Sequence, residues 1–261
     1  MCVHLLVAMP QILPNASPDI DIASPPPVKL DGWIAACSPT SPARQNPIDM
    51  DHPPPPRLKK TFIYDHRLSM EPCLHQTHLI QHGQFLSHNK GPVPHRIMIP
   101  QFSYSPTLLH HDIVTPTYIN WLEDIDPRSH DPEWDDKLDE RLLWRGTNTG
   151  MWHAEDTRWR ESQRSRFVRW ASELNGTVRV LRPNVSSDER VGAEIEFRKA
   201  RINPAMFDVM FAGEPGSCSQ EVCRDLANTF DWRRLQTIQS AGNYKYVFDV
   251  SLFSFGSSVD Y

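Results

Sequence analysis

The sequence predicts an α/β protein in which helices cover a mostly parallel sheet, and three observations carry that prediction. Residues 141–144, 177–181, 205–212 and 244–250 read as strands separated by helical patterns, in the order strand, helix, strand, strand, helix, strand. The run AMFDVMFA at 205–212 is nearly continuous in apolar residues, as a strand buried on both faces requires. Between the first of these strands and the first helix lies LLWRGTNTG, 142–150, which puts Arg145, Gly146, Thr147, Thr149 and Gly150 into one turn.

Taken in chain order, residues 1–57 lack the pattern of a fold. Of the 24 prolines, 13 fall between Pro10 and Pro56. Proline removes backbone donors and fixes φ, so this segment reads as irregular and the folded part is expected to begin near Leu58. The next stretch, to Pro100, is rich in histidine, and His75, His78 and His82 would share one face of a helix. No cysteine or carboxylate completes a tight ligand spacing there, so hydrogen-bonded or surface histidines are expected rather than a metal site. IMIPQF at 97–102 reads as a short strand; the following segment carries Asp112-Ile113-Val114 and is closed by Pro116. Residues 123–140 are acidic.

From residue 141 the periodicity becomes regular. Asp156 is a candidate N-cap, Trp159, Gln163, Phe167, Trp170 and Leu174 trace one helical face, and Gly176 is placed as the stop. A second helix is expected to begin at Ser217 or Ser219, with Val222, Cys223, Leu226 and Phe230 facing inward.

A formal net charge of −5 gives no footing for nucleic-acid binding. Arginine dominates residues 158–201, which reads either as a solvated face pairing with the acidic stretch or as the lining of an anion cleft. No run reaches the roughly 20 apolar residues of a membrane span, and the first residues lack the basic region of a signal peptide. Asn15, Asn175 and Asn184 head glycan acceptor sequons. Among Cys2, Cys37, Cys73, Cys218 and Cys223, the last two are close enough to bridge, with a buried thiol at Cys223 as the alternative.

The 142–150 turn has the makings of a phosphate site. Backbone N–H groups freed at Gly146 and Gly150, hydroxyls of Thr147 and Thr149, and the guanidinium fork of Arg145 could hold a diphosphate where the following helix starts.

Four motifs in one order then resemble the capsule-associated glycosyltransferases, glycosyltransferase family 90, which includes protein O-glucosyltransferases. They are Pro100, Phe102, Ser103 and Ser105 with His111, Asp112, Ile113 and Pro116; W-R-G-T-x-T-G at 144–150; R-x-R-F-V at 164–168; and Y-K-Y-V-F-D at 244–249. The histidine-rich stretch is similar to the fungal branch. The resemblance implies a two-domain GT-B fold of Rossmann-type halves, a UDP-glucose or UDP-xylose type donor, and transfer to a hydroxyl of a glycan or protein without a required metal or other cofactor. It implies an acceptor-side domain at 58–140 and a donor-binding α/β domain at 141–261, with Arg145, Gly146, Thr147, Thr149, Gly150 and Arg166 at the donor. It also implies the lumen of the secretory pathway as location.

This sequence departs from the family pattern in three places. Nothing between Asp19 and Pro56 reproduces the acidic motif expected to supply the base, leaving Asp112 as the carboxylate within a matching motif. The lysine that often follows F-S-x-S is Pro106, and SLFSFGSSVDY follows Val250 where D-x-D-G-N-G-x-S-x-R is usual. The donor domain is therefore expected to be incomplete, with low stability or self-association through an uncovered sheet edge. The alternative to an active transferase is an inactive fragment that binds a nucleotide or a protein.

Overall fold

The computed structural model describes residues 31–49, 65–87, 91–92, 100–103, 106–115, 131–181 and 194–248. The readings of Asn15, Asn184, Cys2, Ser105, Pro116, residues 97–99, residues 123–130 of the acidic stretch and residues 249–261 lie outside these.

Residues 31–49 do not follow the expectation of an irregular segment through residue 57. Helices α1 (Asp31–Ala35) and α2 (Pro42–Gln45) form there, and proline sits at the start of α2 where no backbone donor is needed. Trp33 is only 1% exposed, packs edge-on against Phe85 at 4.9 Å and shares a small core with Leu79. A disulfide between Cys37 and Cys73, Cα atoms 5.6 Å apart, ties this segment to the next. A single tryptophan and one crosslink thus override a proline-rich composition.

Helix α3 (His66–Ser69) is capped by Asp65, whose carboxylate accepts from the Leu68 N–H at 2.8 Å. A 3-10 turn (Gln76–Ile80) and α4 (Gly83–Ser87) follow. His75, His78 and His82 therefore do not line one helix. His78 Nε2 lies 2.7 Å from the Ser69 carbonyl, and burial lowers its pKa. Among the described residues no three His, Cys, Asp or Glu side chains converge. Strands β1 (Phe102–Ser103) and β2 (Ile113–Val114) form a parallel two-strand ladder.

The main sheet begins with β3 (Asp139–Gly146), longer at both ends than the predicted strand. The predicted helix starts later than Asp156, because the Thr157 hydroxyl closes a separate turn on the Ala154 backbone at 2.9–3.0 Å. Ser162 instead caps α5 (Gln163–Ser172), and Leu174 falls beyond the helix, 54% exposed. Strand β4 (Thr177–Leu181) forms as predicted but pairs antiparallel with β5 (Glu194–Arg198), outside the main sheet. Then come α6 (Lys199–Met206), β6 (Phe207–Ala212), α7 (Gln220–Thr229, capped by Ser219), β7 (Trp232–Arg233), α8 (Ile238–Ala241) and β8 (Tyr244–Val247).

All four strands of the main sheet are parallel, in the order β7-β6-β3-β8. The chain starts in the middle with β3, moves outward through β6 to β7, and returns to the other side of β3 as β8. The α/β prediction holds at this level. Alternation along the strands sorts the side chains: Leu142, Trp144, Phe207, Val209 and Phe211 join Phe167, Val168 and Ala171 of α5 and Val222 and Leu226 of α7 in the principal core. No described helix is long and apolar enough to cross a membrane.

Phe211 is the hub of this core, fully buried, stacked on Trp232 at 5.0 Å and edge-on to Trp144 and Phe230. Phe211→Ala is expected to cost about 3–5 kcal/mol, read as a lowered urea midpoint with an unchanged slope.

Candidate functional site

The carboxyl end of β3 delivers the 146–150 turn beside β8, at the place where strand order reverses. In open parallel sheets the crevice for a ligand forms outside the carboxyl ends of the strands at that reversal, because the connections leave the sheet in opposite directions.

Each residue of the turn has a local reason. A Cβ on Gly146 would lie 2.7 Å from the buried Trp144 ring, so the core itself demands glycine there. Gly150 has φ of 114°, a conformation that L side chains rarely adopt. Thr147 and Thr149 hydroxyl oxygens are 2.6 Å apart, and Thr149 is exposed.

Two buried side chains hold the turn from beneath. Asn148, 2% exposed, donates through Nδ2 to the Gly216 carbonyl at 2.5 Å and accepts from the Gly216 N–H at 3.0 Å. Arg164, 7% exposed on α5, donates through Nη1 to the Thr147 carbonyl at 3.1 Å, the Thr149 carbonyl and the Thr149 hydroxyl. The sequence reads Arg164, with Arg166, as a weaker donor candidate on a solvated helix face; its position two residues after the Ser162 cap is what aims it inward. Helix α4 closes the far side: the Gly83 N–H donates to the Gln163 side chain at 2.7 Å, and a Cβ on Gly83 would meet the Gly150 carbonyl at 3.1 Å.

A second loop, residues 213–219 between β6 and α7, lies against the first. His153 donates from its backbone N–H to the Ser217 carbonyl at 2.9 Å, and its carbonyl accepts from the Ser219 N–H at 2.9 Å. His153 Nδ1 is also 3.1 Å from the Ser217 carbonyl; since a carbonyl only accepts, Nδ1 carries the proton. The ring is 1% exposed, and burial pushes its pKa down to about 4, with the Arg164 charge acting in the same direction. His82 is likewise lowered to about 4 by burial, with His78 and Arg164 adding to the effect. Ser217 itself has φ of 51°, a left-handed conformation unusual for serine.

The other predicted site residues are placed differently. Arg145 does not reach the turn's outer surface. Its guanidinium is committed to Asp208, through an ion pair with the carboxylate and a 2.6 Å hydrogen bond to the Asp208 carbonyl. Burial alone would raise the Asp208 pKa, but the Tyr244 hydroxyl at 2.5 Å together with Arg145 and Arg141 holds it below the ordinary carboxylate value. Arg166 is half-buried on α5, where burial lowers its pKa, and no described hydrogen bond joins its guanidinium to the turn. Asp112, half-buried and just before β2, has no described hydrogen bond or ion pair with the turn. Cys218 and Cys223 are bridged, so the disulfide alternative is the one that forms. What the sequence reading misses is Asn148 and His153, whose partners lie far away in the chain.

Two outcomes are expected. Arg145→Ala leaves Asp208 short of its main partner in a half-buried network and should destabilise the fold by about 2–3 kcal/mol in urea unfolding. His153 binds protons more weakly folded than unfolded, so the unfolded chain takes up more protons between pH 6.5 and about 4. Stability should be full above pH 6.5 and fall as pH drops to 4, about 2–3 kcal/mol of the loss coming from His153 and a similar share from His82, so His153→Asn should roughly halve that slope in thermal melts taken across the window. No protein-family model, curated protein or solved structure matches the chain.

Proposed function

We propose that the chain binds a nucleoside-diphosphate sugar at the 146–150 turn, as a glycosyltransferase that passes the sugar to a hydroxyl of a glycan or protein. The observation that carries this reading is the position of the Thr- and Gly-rich turn at the carboxyl end of the central strand, where the strand order reverses. The parallel order β7-β6-β3-β8, which is 3-2-1-4 in chain order, supports the reading, since the doubly wound order 3-2-1-4-5-6 binds nucleotides where its strand order reverses. The resemblance of the four sequence motifs to glycosyltransferase family 90 supplies the reaction class.

In this reading the donor's diphosphate rests on the Thr147 and Thr149 hydroxyls and on the backbone N–H groups of the turn. Arg164 keeps those donors in place, and its buried positive charge favours the negative charge that grows as the diphosphate departs. The bond between the anomeric carbon and the phosphate oxygen breaks, the acceptor hydroxyl oxygen bonds to that carbon, and the hydroxyl proton passes to a base. Asp112 is the carboxylate that the motif offers for that role. Arg145 contributes through the fold by its pairing with Asp208. A second reading, nucleotide binding without transfer, is favoured by that same pairing, since it removes Arg145 from the leaving group.

Calorimetric titration with UDP and UDP-glucose separates these readings from a protein with no nucleotide site. Binding is expected, and Thr149→Val, which removes one hydroxyl while leaving Arg164 its two backbone carbonyl acceptors, is expected to weaken it about tenfold. Release of UDP from UDP-glucose in the presence of a hydroxyl acceptor marks the transferase, and binding without release marks the second reading. A folded chain that binds neither ligand contradicts both.

A further inference from the structure

We propose that the Cys218–Cys223 bridge is a thiol–disulfide exchange site whose redox state governs how tightly the 146–150 turn is held. The two bridges of this chain sit in different surroundings. Cys37 and Cys73 are 4% and 7% exposed within the N-terminal cluster. Cys218 and Cys223 are both half-buried and reachable from solvent, at the junction of the 213–219 loop and the first turn of α7.

That junction is where the turn is anchored. Gly216 carries both hydrogen bonds of Asn148, Ser217 carries both donations from His153, and Ser219 donates to the His153 carbonyl while capping α7. Residue 218 pairs with His153 in a parallel bridge. Ser217, immediately before the bridged cysteine, is the non-glycine residue held at positive φ among the described residues. A left-handed serine persists only where its surroundings enforce it. The disulfide does so by fastening Cys218 to helix α7, whose register is fixed by buried Val222 and Leu226. Opening it frees Ser217 to leave that conformation, and the Gly216 and Ser217 carbonyls then move away from Asn148 and His153.

The reduced form is also chemically satisfied. Cys223 Sγ lies 3.5 Å from the Cys218 carbonyl and 4.0 Å from the Pro215 carbonyl, so a thiol formed there has acceptors in reach. The co-reactant is a dithiol. Its thiolate attacks one sulfur of the bridge, the protein S–S bond breaks, and a mixed disulfide forms. The second thiolate of the dithiol displaces the protein sulfur, leaving two protein thiols and a cyclic disulfide, with two electrons and two protons transferred.

Differential alkylation during stepwise reduction of the intact chain, read by mass spectrometry beside amide hydrogen exchange, tests this. The expected result is that Cys218 and Cys223 become alkylated while Cys37 and Cys73 stay bridged. In that state amides in residues 147–153 and 214–219 should exchange about fivefold faster while the β3 and β6 core is unchanged. The Cys218→Ser/Cys223→Ser double variant should show the same exchange pattern without any reductant. Simultaneous opening of both bridges overturns the proposal, as does exchange in 147–153 that is indifferent to reduction and to the double variant. Hydrogen exchange reads the anchoring of the turn rather than ligand affinity, so the outcome is independent of whether a nucleotide binds.

Discussion

A buried guanidinium must find acceptors, and in this fold Arg164 finds them in the backbone of the 146–150 turn. The arrangement works in both directions. The carbonyls of Thr147 and Thr149 and the Thr149 hydroxyl oxygen face Arg164; the arginine in turn is tolerable in the interior because those acceptors are there. Asn148 adds a second attachment to the neighbouring loop, so a segment that would otherwise wander is pinned from α5 and from the 213–219 loop at once. The turn is thereby held by a side chain from α5 and by the backbone of the 213–219 loop.

The sheet decides where that turn sits. Its apolar side is closed by α5 and α7, while the other side carries Arg141, Arg145, Asp208 and Tyr244 in a hydrogen-bonded charge network. Such a network specifies which strands lie side by side: Arg145 on β3 recognises Asp208 on β6, and Tyr244 of β8 completes the same carboxylate. Pairing three adjacent strands through one aspartate favours the order β6-β3-β8 over alternatives in which β8 continues outward past β7. The reversal of strand order at β3, and with it the position of the 146–150 turn in the sheet, is linked to this one polar cluster.

The sequence made some of this legible and hid the rest for physical reasons. Strands β3, β6 and β8 and helix α7 with its Ser219 cap stand out because apolar pattern and capping are local signals. The order of the strands is set by partners 36 and 63 residues apart, Asp208 with Tyr244 and with Arg145, which no local window contains. Helices α1 and α2 escape notice because composition averaged over a proline-rich stretch conceals Trp33 and Cys37, the two residues that fasten it. At the site, the Thr and Gly residues of the turn were visible, but the roles were exchanged: Arg145 serves the sheet and Arg164 serves the turn. An arginine's direction depends on which helical face is buried, and that is decided by where the helix starts. The shift of the cap from Asp156 to Ser162 therefore changes the reading of Arg164.

The central claim is that the 146–150 turn receives a nucleoside diphosphate. The most direct measurement is a titration of UDP into isotopically labelled protein, following the backbone amide resonances by NMR. The account predicts saturable shifts concentrated at Thr147, Asn148, Thr149 and Gly150 and in the adjoining 213–219 loop, with β4, β5 and the Trp33 cluster unmoved. Resonances of the turn that stay fixed at saturating UDP, or shifts that gather elsewhere on the molecule, would contradict it.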